Sequence, residues 1–216
     1  MSPSLEVALR EGLSALGLSL THAQVTQLLD YQAMIAKWNQ VYNLTALRDP
    51  QEMLTHHLLD SLAVVLPLRR HLTGRATLLD VGSGAGLPGV VLAITHPELA
   101  VTCVDTVAKK AAFVQQVAVT LGLSNLKGLH ARVETLAGPY DVISARAFSS
   151  LPDLVAGSRQ ALAPQGVWLA MKGKNPQDEL AALPEDVQVF HVEPLTVPGL
   201  SAERCIVWMR LASQAS

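Results

Sequence analysis

The sequence predicts an α/β protein: a mostly parallel, doubly wound sheet of seven strands with an antiparallel edge strand, preceded by a helical subdomain. Three observations predict it. Short apolar runs alternate with helix-period segments after Gly74, a glycine-rich turn stands where the first of those runs ends, and the residues before Thr73 show helical period with few strand signals.

The N-terminal part comes first. Leu5, Leu9, Leu13 and Leu16 recur every three or four residues, and so do Val25, Leu28, Leu29 and Ile35, the spacing that lines one face of a helix. Thr21 is the expected N-cap of the second helix. Asp49-Pro50-Gln51-Glu52 opens a third with a capping acid, proline at the first helical position and an acid in the first turn. Residues 1–72 are therefore expected to form a helical subdomain covering one side of a sheet, and residues 73–216 the ligand-binding domain.

The second part alternates. Strands are expected at 76–81, 100–105, 126–129, 140–145, 167–171, 187–192 and 205–209, with helices at 88–95, 108–121 and near 151–162. Alternation of this kind gives parallel strands joined by crossovers. The last two strands lack a full crossover helix between them and are expected to pair antiparallel at one edge.

Composition narrows the function classes. A chain of 216 residues, half of them apolar, buries one sizeable core. Its apolar runs fall short of the roughly 20 residues of a bilayer span. Met1-Ser2-Pro3-Ser4 lacks the basic and apolar pattern of a secretory signal, so a cytoplasmic, non-membrane protein is expected. A net charge of −2 disfavours indiscriminate nucleic-acid binding but leaves room for a local basic patch. Cys103 and Cys205 lie in apolar runs and read as core. Adjacent His56 and His57 point about 100° apart on a helix and have no cysteine or clustered acid beside them, so no metal is expected.

The sharpest local signal is Leu78-Leu79-Asp80-Val81-Gly82-Ser83-Gly84-Ala85-Gly86-Leu87-Pro88-Gly89. Gly84, Gly86 and Gly89 satisfy G-x-G-x-x-G, so a nicotinamide cofactor must be weighed. Asp80 argues against it. A dinucleotide places its pyrophosphate against this turn, where a carboxylate repels it, whereas S-adenosylmethionine carries an ammonium and a sulfonium and no phosphate. Asp105 ends the second strand, where an acid accepts hydrogen bonds from ribose hydroxyls. Val133 and Glu134 follow the third strand, near the expected position of the adenine edge. The fold expected is then a Rossmann-like class I methyltransferase fold, with Asp80, Gly84, Gly86, Asp105, Val133, Glu134 and Arg146 as candidate cofactor residues.

The acceptor is approached by what is missing. Methylation of an exocyclic amino group commonly uses an Asn/Asp-Pro-Pro-aromatic loop after the fourth strand, and here that place holds Ser144-Ala145-Arg146-Ala147-Phe148. Methylation of pyrimidine C5 needs a cysteine on a loop, and both cysteines are in strands. Guanine N7 needs neither, because its lone pair is free and alignment suffices, so no general base is expected. Arg146 and Lys172 end the fourth and fifth strands at the ligand edge of an open α/β sheet, where they would position substrate. Lys172 and Lys174 are candidates for RNA phosphates, and Phe148 for stacking on an extruded base or, with more weight, for the core. Lys109 and Lys110 read as a solvated helix face, and Trp38 as core.

These motifs resemble one family. The glycine turn with Leu87-Pro88-Gly89, Arg132-Val133-Glu134, Ser144-Ala145-Arg146-Ala147-Phe148, Met171-Lys172-Gly173, Lys37-Trp38-Asn39-Gln40-Val41-Tyr42-Asn43-Leu44-Thr45 and His57-Leu58-Leu59-Asp60-Ser61-Leu62 are similar to those of the RsmG (GidB) methyltransferases, from about Leu28 to Met209. The resemblance implies N7 methylation of a guanosine, at position 527, in the 530 loop of bacterial 16S ribosomal RNA. S-adenosyl-L-homocysteine would be the product, and 16S RNA or the small subunit the partner of a monomeric enzyme. It also implies cofactor contacts at Gly82, Leu87, Val133, Glu134 and Arg146, and an acceptor side lined by Asn43, His57 and Asp60. Thr106 stands where serine is more usual. Two rivals come from other classes: a nicotinamide-dependent oxidoreductase, and a ribosome-binding protein that keeps a cofactor fold without turnover.

Overall fold

Helix α1 (Leu5–Ala15) starts at Ser4, whose side chain accepts the Val7 N–H, in a computed structural model that describes residues 4–72 and 74–212. Helix α2 (His22–Tyr42) starts at Thr21 with a full capping box, the Thr21 hydroxyl taking the Gln24 N–H and the Gln24 side chain returning to Thr21. It ends at Asn43, which adopts the left-handed conformation with φ 50° that asparagine tolerates better than most residues. Helix α3 (Pro50–Met53) is capped by Asp49, whose carboxylate accepts the N–H groups of Gln51 and Glu52. The chain then widens into a π-helical turn (Leu54–Leu59) before α4 (Asp60–Leu62) and α5 (Val65–Arg69). Periodicity gave no sign of that turn, which carries His56 and His57 and delivers the chain to Asp60.

The α/β part follows as β1 (Ala76–Val81), α6 (Gly89–Thr95), β2 (Leu99–Asp105), α7 (Ala108–Thr120), β3 (Leu126–His130) and β4 (Tyr140–Arg146). It continues with α8 (Leu151–Ser158), β5 (Leu162–Lys172), α9 (Gln177–Ala181), β6 (Val187–Leu195) and β7 (Arg204–Leu211). The sheet order is β3-β2-β1-β4-β5-β7-β6. Neighbours among β1 to β5 run parallel, while β7 runs antiparallel to both β5 and β6. The last two strands thus pair antiparallel at one edge, as expected. The strand that opposes the others is β7, however, one place in from the edge. The segment after β6 is short and returns the chain directly, and β7, apolar on both faces, takes the more buried position.

Alternation along each strand divides the core. Leu78, Val142, Leu169, Ile206 and Trp208 face one side with α1, α2, α6 and α7, while Leu79, Val81, Ile143, Trp168, Val207 and Met209 face α8 on the other. Leu9, Leu28 and Ile35 of the helical part belong to the same apolar cluster as Leu78, Val90 and Phe113. The change from helix to sheet falls near residue 72, but the core runs through it. Trp38 is half-buried and packs edge-on against Phe113, with ring centroids 5.3 Å apart.

The sheet changes direction between β1 and β4, which opens a crevice at their C-terminal ends. Helix α2 reaches that crevice: the fully buried Tyr31 donates its hydroxyl to the Ala85 carbonyl of the glycine turn at 2.7 Å. Because α2 braces the turn, its capping box matters to the site as well as to the helix. Thr21→Ala is expected to cost about 1 kcal/mol. Thermal denaturation should show a melting point about 2–4 °C lower, and an unchanged value would make the cap dispensable.

Candidate active site

A cavity of about 520 Å³ opens at the crevice. One wall is the glycine turn, with Gly82, Ser83, Gly84, Ala85 and Leu87. Gly82, Gly84 and Gly86 all have positive φ, at 63°, 59° and 91°, so the turn needs residues without a Cβ. Two of them differ in what that space is for. A Cβ at Gly84 would meet nothing within 4 Å and would project into open space, whereas one at Gly86 would collide with Val90 and crowd Val114. Gly84 thus keeps room for a ligand against the backbone, and Gly86 serves packing.

The acids expected to hold the cofactor take up different positions. Asp80 is fully buried and does not line the cavity. The strand register sets it between Cys103 and Ser144. Its carboxylate accepts the Gly89 N–H and the Ser144 hydroxyl, both at 2.9 Å. Expected among the cofactor residues because an acid suits a cationic donor, Asp80 instead points its side chain beneath the turn and pins the start of α6. Burial pushes its carboxyl up to about 6, against the hydrogen bonds that lower it. Asp105 accepts the Gly84 N–H at 3.0 Å and the Val107 N–H at 2.8 Å, closing the turn onto the end of β2. Those bonds leave further lone pairs for hydroxyl donors. Val133 is buried and Glu134 exposed in a 3₁₀ turn beside α8, and neither lines this cavity.

The opposite wall is cationic. Arg146, Lys172 and Arg204 line it, with Leu44, Thr45, His56, His57 and Asp60 beside them. Asp60 organises it. Its carboxylate, 4% exposed, accepts Arg146 Nη1 at one oxygen and Arg204 Nε at the other, each at 2.9 Å. Arg146 Nη1 also donates to the His56 carbonyl at 2.8 Å. Lys172 is held by Glu179 at 2.7 Å. His57 Nε2 lies 2.9 Å from the Thr45 hydroxyl, which itself accepts the Leu47 N–H. Desolvation, then the Arg146 charge, lowers the imidazole to about 4, so His57 is neutral at physiological pH. Asn43 is exposed, with Oδ1 towards Arg48, and Lys174 lines a neighbouring cavity, so neither touches this one.

The structure therefore brings Gly82, Gly84, Leu87, Arg146, Lys172, His57 and Asp60 to one cavity and leaves Asp80, Asp105, Gly86, Val133, Glu134, Asn43 and Lys174 outside its lining. Sequence reasoning missed Arg204, Tyr31 and the place of Lys110, which lines the cavity 3.9 Å from Asp105. For Arg204 a signal existed. An antiparallel strand starts at the edge where parallel strands end, and Arg204 immediately precedes the apolar run of β7. Phe148 packs its ring over Gly82, where a Cβ would lie 3.2 Å from it. Among the described residues no group of three or more His, Cys, Asp or Glu is arranged to hold a metal, and no helix is long and apolar enough to cross a membrane.

The profile of GidB, described as rRNA small subunit methyltransferase G, matches residues 24–207. The chain belongs to the GidB family. It is 72% identical over 216 residues to the ribosomal RNA small subunit methyltransferase G of Acidovorax ebreus (strain TPSY), covering 96% of each chain. The protein of that name from Polaromonas sp. (strain JS666 / ATCC BAA-500) is 68% identical, covering 98% of this chain and 96% of its own. The fold is shared more widely. A SAM-dependent methyltransferase from Aquifex aeolicus superposes with a TM-score of 0.57 at 20% identity, over 84% of this chain and 98% of that one. TrmN from Thermus thermophilus gives 0.56 at 18%, over 73% and 53%. This GidB-family chain is accordingly an S-adenosylmethionine-dependent methyltransferase of the class I fold. The open space above Gly84 and the acid of Asp105 fit that donor.

Two outcomes follow for the cationic wall. Asp60→Ala leaves two half-buried guanidinium groups without their shared counter-charge. It should lower the unfolding free energy by about 3 kcal/mol in chemical denaturation, and a loss below about 1 kcal/mol would mean that water replaces the carboxylate. His57 binds its proton more weakly folded than unfolded, so it costs stability as pH falls from about 6.5 through about 4. Asp80 acts in the opposite sense, its contribution falling as pH rises from about 4 to about 6. In His57→Gln the melting point at pH 5, relative to that at pH 7, should stand higher than in the parent. Identical differences would remove His57 from the acid response.

Proposed function

We propose that this chain transfers the methyl group of S-adenosylmethionine to N7 of a guanosine in the 530 loop of bacterial 16S ribosomal RNA, acting as a monomer on the RNA or the small subunit in the cytoplasm. The observation that carries the reading is the meeting of a donor turn and a cationic wall across one cavity. The names of the relatives support the RNA class of the substrate.

The donor, when bound, supplies a methyl carbon activated by a sulfonium, and N7 supplies a free lone pair. No proton has to be removed before attack, so the residues have to bind, orient and exclude water. Gly82, Gly84 and Leu87 would cradle the donor, Asp105 its ribose, and Val133 with Glu134 its adenine edge. Arg146, Arg204 and Lys172 would hold the RNA phosphates around the extruded guanine, with Lys174 further along the strand and Asn43 at the approach. Three cations against the two carboxylates Asp60 and Glu179 leave one surplus positive charge. That attracts a phosphate without strongly opposing a cationic donor. Neutral His57, with Thr45, adds a polar but uncharged flank for the base.

Incubating the protein with labelled S-adenosylmethionine and 16S RNA, free and in small subunits, then mapping the label by mass spectrometry, tests this. N7-methylguanosine in the 530 loop is expected. Label on another base or atom, or cofactor binding without transfer, would overturn it.

A further inference from the structure

A second cavity, of about 350 Å³, lies beside the first and shares Arg204 with it. The backbone at the end of β5 runs from one to the other: Lys172 and Gly173 line the first, Lys174 and Asn175 the second. One face of its lining is apolar, from Val192 and Pro194 of β6 with the buried Cys205 of β7, and Leu195, Glu203 and Arg204 complete it. Arg204 spends Nε on Asp60 and Nη1 on the Glu203 carbonyl, and among the described residues Nη2 has no protein partner.

We propose that this cavity seats the nucleotide flanking the target guanosine, a proposal that rests on the reading of the protein as an RNA methyltransferase. A base extruded for methylation strips its neighbour of a stacking partner, and the neighbour gains by finding another. Val192 and Pro194, which share one face of β6, offer an apolar surface for it. Asn175 offers a donor and an acceptor to a base edge, and the Glu203 carboxylate accepts from an amino group or a ribose hydroxyl. The phosphate linking the two nucleotides falls between the cavities, where the unused edge of Arg204 and the exposed Lys174 carry positive charge. Continuity with the first cavity and this placement of charge favour an RNA strand over a protein segment of the subunit.

The test uses the intact protein on 16S RNA stripped of proteins, and on the same RNA with an abasic residue on either side of the target. Val192→Trp fills the cavity and should raise KM for the RNA about tenfold, with affinity for S-adenosylhomocysteine unchanged in calorimetry. An abasic residue on one side should raise KM by a similar factor in the parent and add little in the variant, because both remove the same contact. Asn175→Ala should show a smaller rise of the same kind, and it decides the matter if Val192→Trp no longer binds S-adenosylhomocysteine. Unchanged KM, equal abasic penalties in parent and variants, or a defect seen only on intact subunits would each overturn the subsite. A parent that transfers no methyl group to guanosine in RNA defeats the functional reading itself, whereas one that does so regardless of its flanking bases defeats only the subsite.

Discussion

The carboxylate of Asp60, nearly excluded from water and gripped by guanidinium groups from β4 and β7, is the contact on which the cationic wall of the cavity depends. It ties three distant stretches of chain together: the helix that follows the π-helical turn, the end of the fourth strand and the start of the last. Burying one anion is costly, and burying two cations alone would cost more. Together they settle into a geometry where each guanidinium is oriented by the group it neutralises. The functional consequence is orientation. Arg146 and Arg204 are long, rotamer-rich side chains, and the shared carboxylate fixes one edge of each at the cavity in advance of any ligand.

A parallel arrangement operates on the donor side, with the charge hidden. Asp80 lies under the glycine turn, where it takes one hydrogen bond from the first residue of α6 and one from Ser144 of the neighbouring strand. The turn that follows spends most of its amides within the protein, those of Gly82 and Ser83 on the Val104 carbonyl and those of Gly86 and Leu87 on the Ser83 carbonyl. Asp105 works from the other flank, and Tyr31 from the helical part. The turn is therefore held from three elements, while Gly84 leaves its outer surface bare.

Much of this was legible in the sequence, and the part that was not has a physical reason. Period and punctuation placed all seven strands and the main helices, because an apolar face must repeat at the period of its element. That Gly82, Gly84, Leu87 and Arg146 come to the cavity has the same kind of reason, since a strand end and a positive-φ turn leave marks in local sequence. The direction in which Asp80 points left no such mark. Whether an acid in that place faces ligand or lies beneath the turn depends on Ser144, from a strand that joins the sheet 64 residues later. Arg204 was missed likewise, because its role comes from β7 entering the sheet between β5 and β6, a pairing without a local signature. The π-helical turn belongs with these, as its residues look like ordinary helix.

The late insertion of β7 bears on how the molecule comes into being. A nascent chain halted before Arg204 contains the whole glycine turn and every acid around it. It nonetheless lacks the guanidinium that completes Asp60's grip, and it leaves the edge of β5 uncovered. Such a fragment is an unfinished sheet with an open flank, prone to pair with a second unfinished copy.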